Sequence, residues 1–210
     1  MIKRSQVTIT DIAKHVGMTN MTVSRALKQP EKVRPETREK ILAAANELGY
    51  VPNAFASHLR SRKNRLIGLV TASVDNPFYS EVIKAISRAA KEHDYTIMLI
   101  DTDGSPELEE VAIDTLLSYQ VAGIILSPVS DDASYRPNYL ERLRKANLPV
   151  VMLDRTLDVT DFSRVVLDNR LAGRLLGELL VNKNIERVLT LTGPSGSQIT
   201  RHRLAGLKEA

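Results

Sequence analysis

The 210 residues, 43% hydrophobic and 26% charged, describe a folded chain with room for one small unit and part or all of a larger one, and they favour neither a disordered chain nor a membrane protein. The absence of cysteine removes disulfides, thiolate metal sites and cysteine nucleophiles together. Apolar runs stay far below the roughly 18 residues that a bilayer span needs; the polar stretch from Met1 to Thr10 has neither the apolar segment nor the cleavage site of a secretory signal, so the expectation is a cytoplasmic protein. Charge is divided unevenly: residues 1–65 carry 13 Lys and Arg against 5 Asp and Glu, a formal +8, whereas residues 66–210 carry 16 against 20, a formal −4. A basic module on a mildly acidic body is what binding to a phosphate backbone selects, although a solvated surface explains charge alone equally well.

At the N-terminus, Thr10 is placed to cap a helix over Asp11 to Val16, with Ile12, Ala13 and Val16 on one face and Gly17 to end it. Thr19 can cap a second helix from about Asn20, whose Val23, Ala26 and Leu27 form a single apolar stripe. A helix-turn-helix crossing needs a small residue in the first helix, a glycine at the turn and a branched apolar anchor in the second; Ala13, Gly17 and Val23 supply them at the right spacing. A third helix starts at Pro35 and runs through Ile41, Ala44, Ala45 and Leu48 to a stop at Gly49. The polar side of the second helix offers base-reading groups: an arginine fork for guanine at Arg25, an amide for adenine at Asn20 and an apolar tip for a thymine methyl at Met21. Thr22, Ser24, Lys28 and Lys32, with Arg34 nearby, suit phosphate contacts that set register. An ordinary solvated helical hairpin can share this spacing, so the motif needs support from the rest of the chain.

That support comes from longer stretches. The segments TITDIAKHVGMTNMTVSRAL (8–27), VRPETREKILAAANELGYVPNAFASHLRS (33–61) and RLIGLV (65–70) closely resemble the lactose/galactose repressor family of bacterial transcription regulators. The resemblance runs from about Val7 to the end of the chain, and its T-V-S-R-x-L and G-Y-x-P-N segments are specific when found together. It implies a dimeric repressor whose affinity for double-stranded operator DNA is switched by a small metabolite, without a cofactor, a metal or a membrane partner. Three parts follow from it: a helix-turn-helix headpiece over 1–51, a hinge helix and linker over 52–65, and an incomplete N-terminal subdomain of the effector-binding core over 66–210. By the same resemblance, Asn53 lies at the start of the hinge helix and Ala56 and Leu59 face its partner and the DNA, with Leu59 wedging into the minor groove at the operator centre. So short a helix is marginal alone and is expected to fold mainly on DNA; a basic flexible linker from Arg60 to Arg65 describes the free protein equally well.

From Leu66 onward, short β-rich runs alternate with helical ones, the pattern of a doubly wound α/β parallel sheet covered on both faces. The expected strands are Leu66 to Ala72, Thr96 to Asp101, Gly123 to Ser127, Val150 to Asp154, Val165 to Leu167 and Arg187 to Thr192. The expected helices are about Pro77 to His93, Pro106 to Tyr119, Tyr135 to Ala146 and Asn169 to Val181, with another starting near Thr200. The fold class is thus an all-α helix-turn-helix headpiece plus a periplasmic-binding-protein-like domain, and the resemblance implies that a second subdomain is missing beyond Ala210. In such sheets ligands sit outside the carboxyl ends of the strands, so the loops beginning at Ala72, Asp101, Ser127, Asp154 and Gly193 are expected to line a site.

Within those loops the resemblance places an effector loop at SVDNPFYSE (73–81), with Phe78 and Tyr79 at its aromatic positions. Asp75 joins them as a polar contact, although helix capping is an equal explanation for Asp75 or Asn76. Asp154, Arg155 and Arg203 are further polar contacts by the same carry-over, a guanidinium fork matching vicinal hydroxyls or a carboxylate; Asp168 and Asn169 read better as a helix cap. A sugar or sugar acid is the leading effector class and a nucleoside or purine the second. Two rivals stand beside this reading. An enzyme on the same layout finds no G-x-G-x-x-G after the first strand, no lysine in the faint phosphate loop Gly193–Gly196, and only scattered histidines at 15, 58, 93 and 202. A sugar-binding protein or receptor fragment without operator binding shares the body fold, but the basic headpiece counts against it.

Overall fold

The computed structural model describes residues 7–51 and 64–210, so the hinge positions Asn53, Ala56 and Leu59 lie outside the described residues. The chain divides into two compact units, 1–62 and 63–210.

The first unit is a three-helix headpiece: α1 (Ile9–Val16), α2 (Asn20–Lys28) and, after a 3-10 turn over Pro30–Lys32, α3 (Pro35–Glu47). α1 begins earlier than the apolar period indicated. Thr8, not Thr10, is its cap, because Thr8 stands three residues before Asp11 and the two form a reciprocal capping box that satisfies two otherwise orphaned backbone donors. Gly17, at φ 68°, closes the helix in the left-handed region. Thr19 caps α2, its side chain accepting from the Thr22 N–H. The two helices and α3 meet through Ile12, Ala13, Val16, Val23, Ala26, Ile41, Ala44 and Ala45, all buried. Three short helices that would fray alone are held by this shared core.

The second unit carries a five-stranded sheet in the order β2-β1-β3-β4-β5, all pairs parallel. Its elements are β1 (Leu66–Thr71), α4 (Pro77–Glu92), β2 (Thr96–Asp101), α5 (Pro106–Ser118), β3 (Gly123–Leu126), α6 (Tyr139–Ala146), β4 (Val150–Leu153) and β5 (Ser163–Val165), followed by α7 (Asn169–Asn182) and α8 (Gln198–Glu209). The chain moves from β1 outward to β2, then back past β1 to β3. With right-handed crossovers this puts α4 on one face and α5 and α6 on the other, and it opens a crevice at the carboxyl ends of β1 and β3 where the winding reverses. The core joins Val70, Ile124, Leu126, Val150 and Met152 of the strands to Ile113 and Leu116 of α5 and Tyr139, Leu140 and Leu143 of α6. Gly68 lets α5 lie close on β1: a Cβ there would stand 2.4 Å from Leu116 Cδ1.

Three expected elements differ. α6 starts at Tyr139 rather than Tyr135, since Pro137 biases the residue before it away from helical geometry and leaves Tyr135 in a turn bonded to Asp132 O. β5 covers Ser163–Val165 rather than Val165 to Leu167; β4 turns away at Asp154, φ 61°, so Val166 and Leu167 find no strand beside them. The stretch Arg187 to Thr192 is not a strand. It lies between α7 and α8 with Leu189 and Leu191 at 90% and 93% exposure, an apolar, β-prone run without the neighbour that would pair its backbone. α7 and α8 approach closely: a Cβ on Gly173 would lie 2.0 Å from the Arg203 carbonyl oxygen, and one on Gly206 would lie 1.9 Å from that of Arg170. Among the described residues no helix is long and apolar enough to cross a membrane.

Candidate functional site

The headpiece presents one outward helix side. With Val23 and Ala26 buried, the period of α2 turns Asn20, Met21, Arg25 and Lys28 to solvent, all exposed, while Thr22 and Ser24 are half-buried. Met21 is 64% exposed. No acidic residue occurs in α2; its last turn carries Arg25 and Lys28, and Lys32 follows in the 3-10 turn. Two of these polar groups already have local partners. Asn20 Nδ2 donates to Thr10 Oγ1 at 3.2 Å, and the Thr19 and Thr22 hydroxyls lie 2.9 Å apart. Thr10 therefore tethers the amide of Asn20 instead of capping α1.

At the carboxyl ends of the strands the structure brings together Tyr79 from the first turn of α4, Ser127 just after β3, and Asp154 just after β4. Tyr79 Oη lies 2.7 Å from Ser127 Oγ and donates to Asp154 Oδ2 at 3.0 Å. Since the phenol has one proton and the ionised carboxylate can only accept, the order is fixed: Ser127 donates to Tyr79, and Tyr79 donates to Asp154. Burial, reinforced by the neighbouring Asp154 carboxylate, raises the Tyr79 hydroxyl above its ordinary pKa, against the lowering effect of the Ser127 bond and Arg155, so it stays protonated as this chain requires. Asp154 adopts a left-handed backbone at φ 61°, a conformation aspartate tolerates better than most residues. Its N–H donates to the Val165 carbonyl. Phe78 packs edge-on against the Tyr79 ring, centroids 5.2 Å apart at 71°, and its other side faces solvent at 38% exposure. Next to Asp154, the Arg155 guanidinium donates through Nη1 to the Val129 carbonyl at 2.8 Å.

Two expected members stand apart. Asp75 is exposed in the turn before α4 and makes no hydrogen bond to the cluster among the described residues. Its neighbour Asn76 is the cap, accepting from the Phe78 N–H at 3.0 Å. Arg203, on α8, donates through Nε to the buried Asn169 Oδ1 at 2.8 Å. It lines a cavity of about 360 Å³ with Gly173, Leu176, Leu191, Gly193 and Leu207, among α7, α8 and the stretch between them, and Tyr79, Ser127 and Asp154 are not in its lining. The start of α8 is tied to the loop after β3 instead: Asp131 Oδ2 accepts from Ser197 Oγ and the Ile199 N–H, at 3.0 and 2.9 Å. Asp168 caps α7, accepting from the Leu171 N–H. Among the described residues no group of three or more His, Asp or Glu side chains is placed to hold a metal ion.

The described geometry can be set beside known proteins. Residues 8–53 match the bacterial regulatory proteins of the lacI family, and residues 64–210 match the periplasmic binding proteins and sugar binding domain of the LacI family. The chain belongs to the LacI family. Among its relatives are the HTH-type transcriptional regulator GntR of Escherichia coli K12, 32% identical over 191 residues that make up 90% of this chain and 56% of GntR, and the ribose operon repressor of Halalkalibacterium halodurans, 32% identical over 202 residues, 96% of this chain and 59% of that repressor. The crystal structure of the lac repressor dimer bound to operator and the anti-inducer ONPF superposes with a TM-score of 0.80 at 30% identity, covering 98% of this chain and 61% of that one. The chain thus spans a little over half the length of the LacI-family relatives it matches. The LacI likeness accounts for both the helical headpiece and the parallel-sheet body. Ser127 was not named as an effector contact, but the loop it begins was expected to line the site from its position: it follows β3, the strand that flanks β1 at the point where the winding reverses.

Proposed function

We propose that this chain is the DNA-binding headpiece and part of the sensing body of a dimeric transcription repressor, divided functionally at 1–51, 52–65 and 66–210, and that it is not an enzyme. The observation that carries the reading is the outward side of α2: base-reading types at Asn20, Met21 and Arg25, flanked by cations and free of acids, on a helix anchored by a buried three-helix core. Arg25 reads a guanine, Asn20 an adenine edge and Met21 a thymine methyl. Thr22, Ser24, Lys28 and Lys32 fix the register through phosphates. Asn53, Ala56 and Leu59 form the paired hinge between half-sites, one headpiece per half of a near-palindromic operator.

The effector is a small metabolite, a sugar or sugar acid first and a nucleoside or purine second. It lies over Phe78 and Tyr79, with Asp154 and Arg155 supplying an acceptor and a cationic fork and Asp75 and Arg203 reaching it from the rim. The ribose operon repressor among the relatives is named for a sugar operon, which supports that class.

Selection of bound duplexes from a random pool tests the DNA reading, and a recurring near-palindrome is the expected product. Arg25→Ala should cost about 1–3 kcal/mol and relax discrimination at one base pair, whereas Lys28→Ala should weaken all duplexes alike and reduce the salt slope by about 1. If the wild-type dimer holds all duplexes with equal strength, or both variants behave alike, the assignment fails.

A further inference from the structure

Glu109 stands in the first turn of α5 with no exposed surface, and the cluster described above does not use it. Three donors converge on its carboxylate: Tyr139 Oη and Tyr135 Oη reach Oε1 at 2.8 and 2.9 Å, and the Val129 N–H reaches Oε2 at 2.6 Å. A buried carboxylate is expensive, and an apolar side chain of its size would fill the core at less cost. What the carboxylate adds is a fixed acceptor for Val129. The Val129 carbonyl, in turn, accepts from Arg155 Nη1 at 2.8 Å, so both backbone polar groups of one residue are held, one from the core and one from the strand-end site. Two residues on, Asp131 holds the start of α8. The loop after β3 is thus bound on its inner side by Glu109 and on its outer side by Arg155 and α8.

We infer that Glu109 is a positioning residue for the strand-end site: by holding the Val129 N–H it fixes the carbonyl that sets the direction of the Arg155 guanidinium. The effector role of Arg155 rests on the function proposed above, but the linkage itself exists in the ligand-free chain and is tested there.

Nitrogen-detected NMR on the 210-residue chain, without ligand, reads both ends of the linkage: hydrogen exchange at the Val129 amide and the Nη resonances of Arg155. In Glu109→Met, which keeps the volume and removes the acceptor, exchange at Val129 should rise about tenfold, the equivalent of one net hydrogen bond, and the Arg155 Nη signals should move to free-guanidinium positions. Glu109→Gln, which keeps an oxygen for Val129 while its amide faces the tyrosine hydroxyls, should restore both signals. Tyr135→Phe, which removes a different donor from the same carboxylate, should leave both in place. If Glu109→Met does not fold, Glu109→Asp withdraws the acceptor by one methylene and should shift both signals in the same direction. The inference is overturned if Val129 loosens while Arg155 stays, if neither moves, if glutamine fails where methionine fails, or if Tyr135→Phe reproduces the loss. Since no ligand enters the measurement, a wrong effector assignment leaves these outcomes unchanged and is exposed separately, by Arg155 signals that stay still when sugars are added.

Discussion

Replacing Tyr79 by phenylalanine removes one oxygen and leaves the ring, so its packing against Phe78 is retained. The Ser127 hydroxyl is fully buried and loses the acceptor 2.7 Å away; leaving such a group without a partner costs about 1–3 kcal/mol. Asp154 is half-buried, and water takes the place of the 3.0 Å bond at little further expense. The sum is about 2 kcal/mol, which for a unit of this size lowers the melting temperature by roughly 4–8 °C. Thermal unfolding followed by circular dichroism on the 63–210 unit within the full chain measures it. The decisive comparison is a cycle with Ser127→Ala. Once the phenol is gone, deleting the serine hydroxyl removes the unsatisfied group, so the double variant should be no less stable than Tyr79→Phe alone. A loss below about 0.5 kcal/mol in Tyr79→Phe, or two losses that simply add, would refute the ordered chain from Ser127 through Tyr79 to Asp154.

Gly68→Ala should destabilise the body by about 1–3 kcal/mol, because the new methyl meets the Leu116 side chain, which has no exposed surface and must shift within the core. Adding Leu116→Ala should recover part of that loss in urea titrations, and strict additivity would reject the contact. Burial, with a contribution from Glu110, raises the Glu109 carboxyl above its ordinary value despite its three hydrogen-bond donors. The folded chain therefore holds this proton to higher pH than the unfolded chain, and the wild type loses stability as pH rises from the ordinary carboxylate range through the raised folded value. Glutamine does not titrate. The stability difference between Glu109→Gln and wild type should shift toward the variant across that window and level off above it; a flat difference, or the opposite slope, in urea midpoints taken at several pH values rejects this assignment.

Much of this was legible because local and tertiary signals agreed. Gly17, Thr19 and Pro35 mark helix ends through backbone chemistry that needs no distant partner, and the fully buried strands read as apolar runs between helical periods. Thr8 was missed because two threonines stand two residues apart and only the reciprocal bond with Asp11 separates them. The Arg187 to Thr192 stretch misled because β propensity records what a segment could pair with, whereas pairing is decided by which strands stand beside it. Glu109 was invisible for a different reason: an acid in the first turn of a helix reads as a favourable surface charge, and nothing local reveals that Tyr135, Tyr139 and Val129 close over it. Ser127 falls between these cases, ordinary as a residue and informative only through strand order.

The direction of the protons at the strand ends has a consequence for molecular selectivity. With Tyr79 committed as a donor to Asp154, the carboxylate still offers most of its roughly four lone-pair sites, and each asks an incoming molecule for a hydrogen. On the effector role proposed for Asp154, a compound that presents a hydroxyl there would be preferred over its methyl ether or deoxy counterpart, which has no hydrogen to offer the carboxylate.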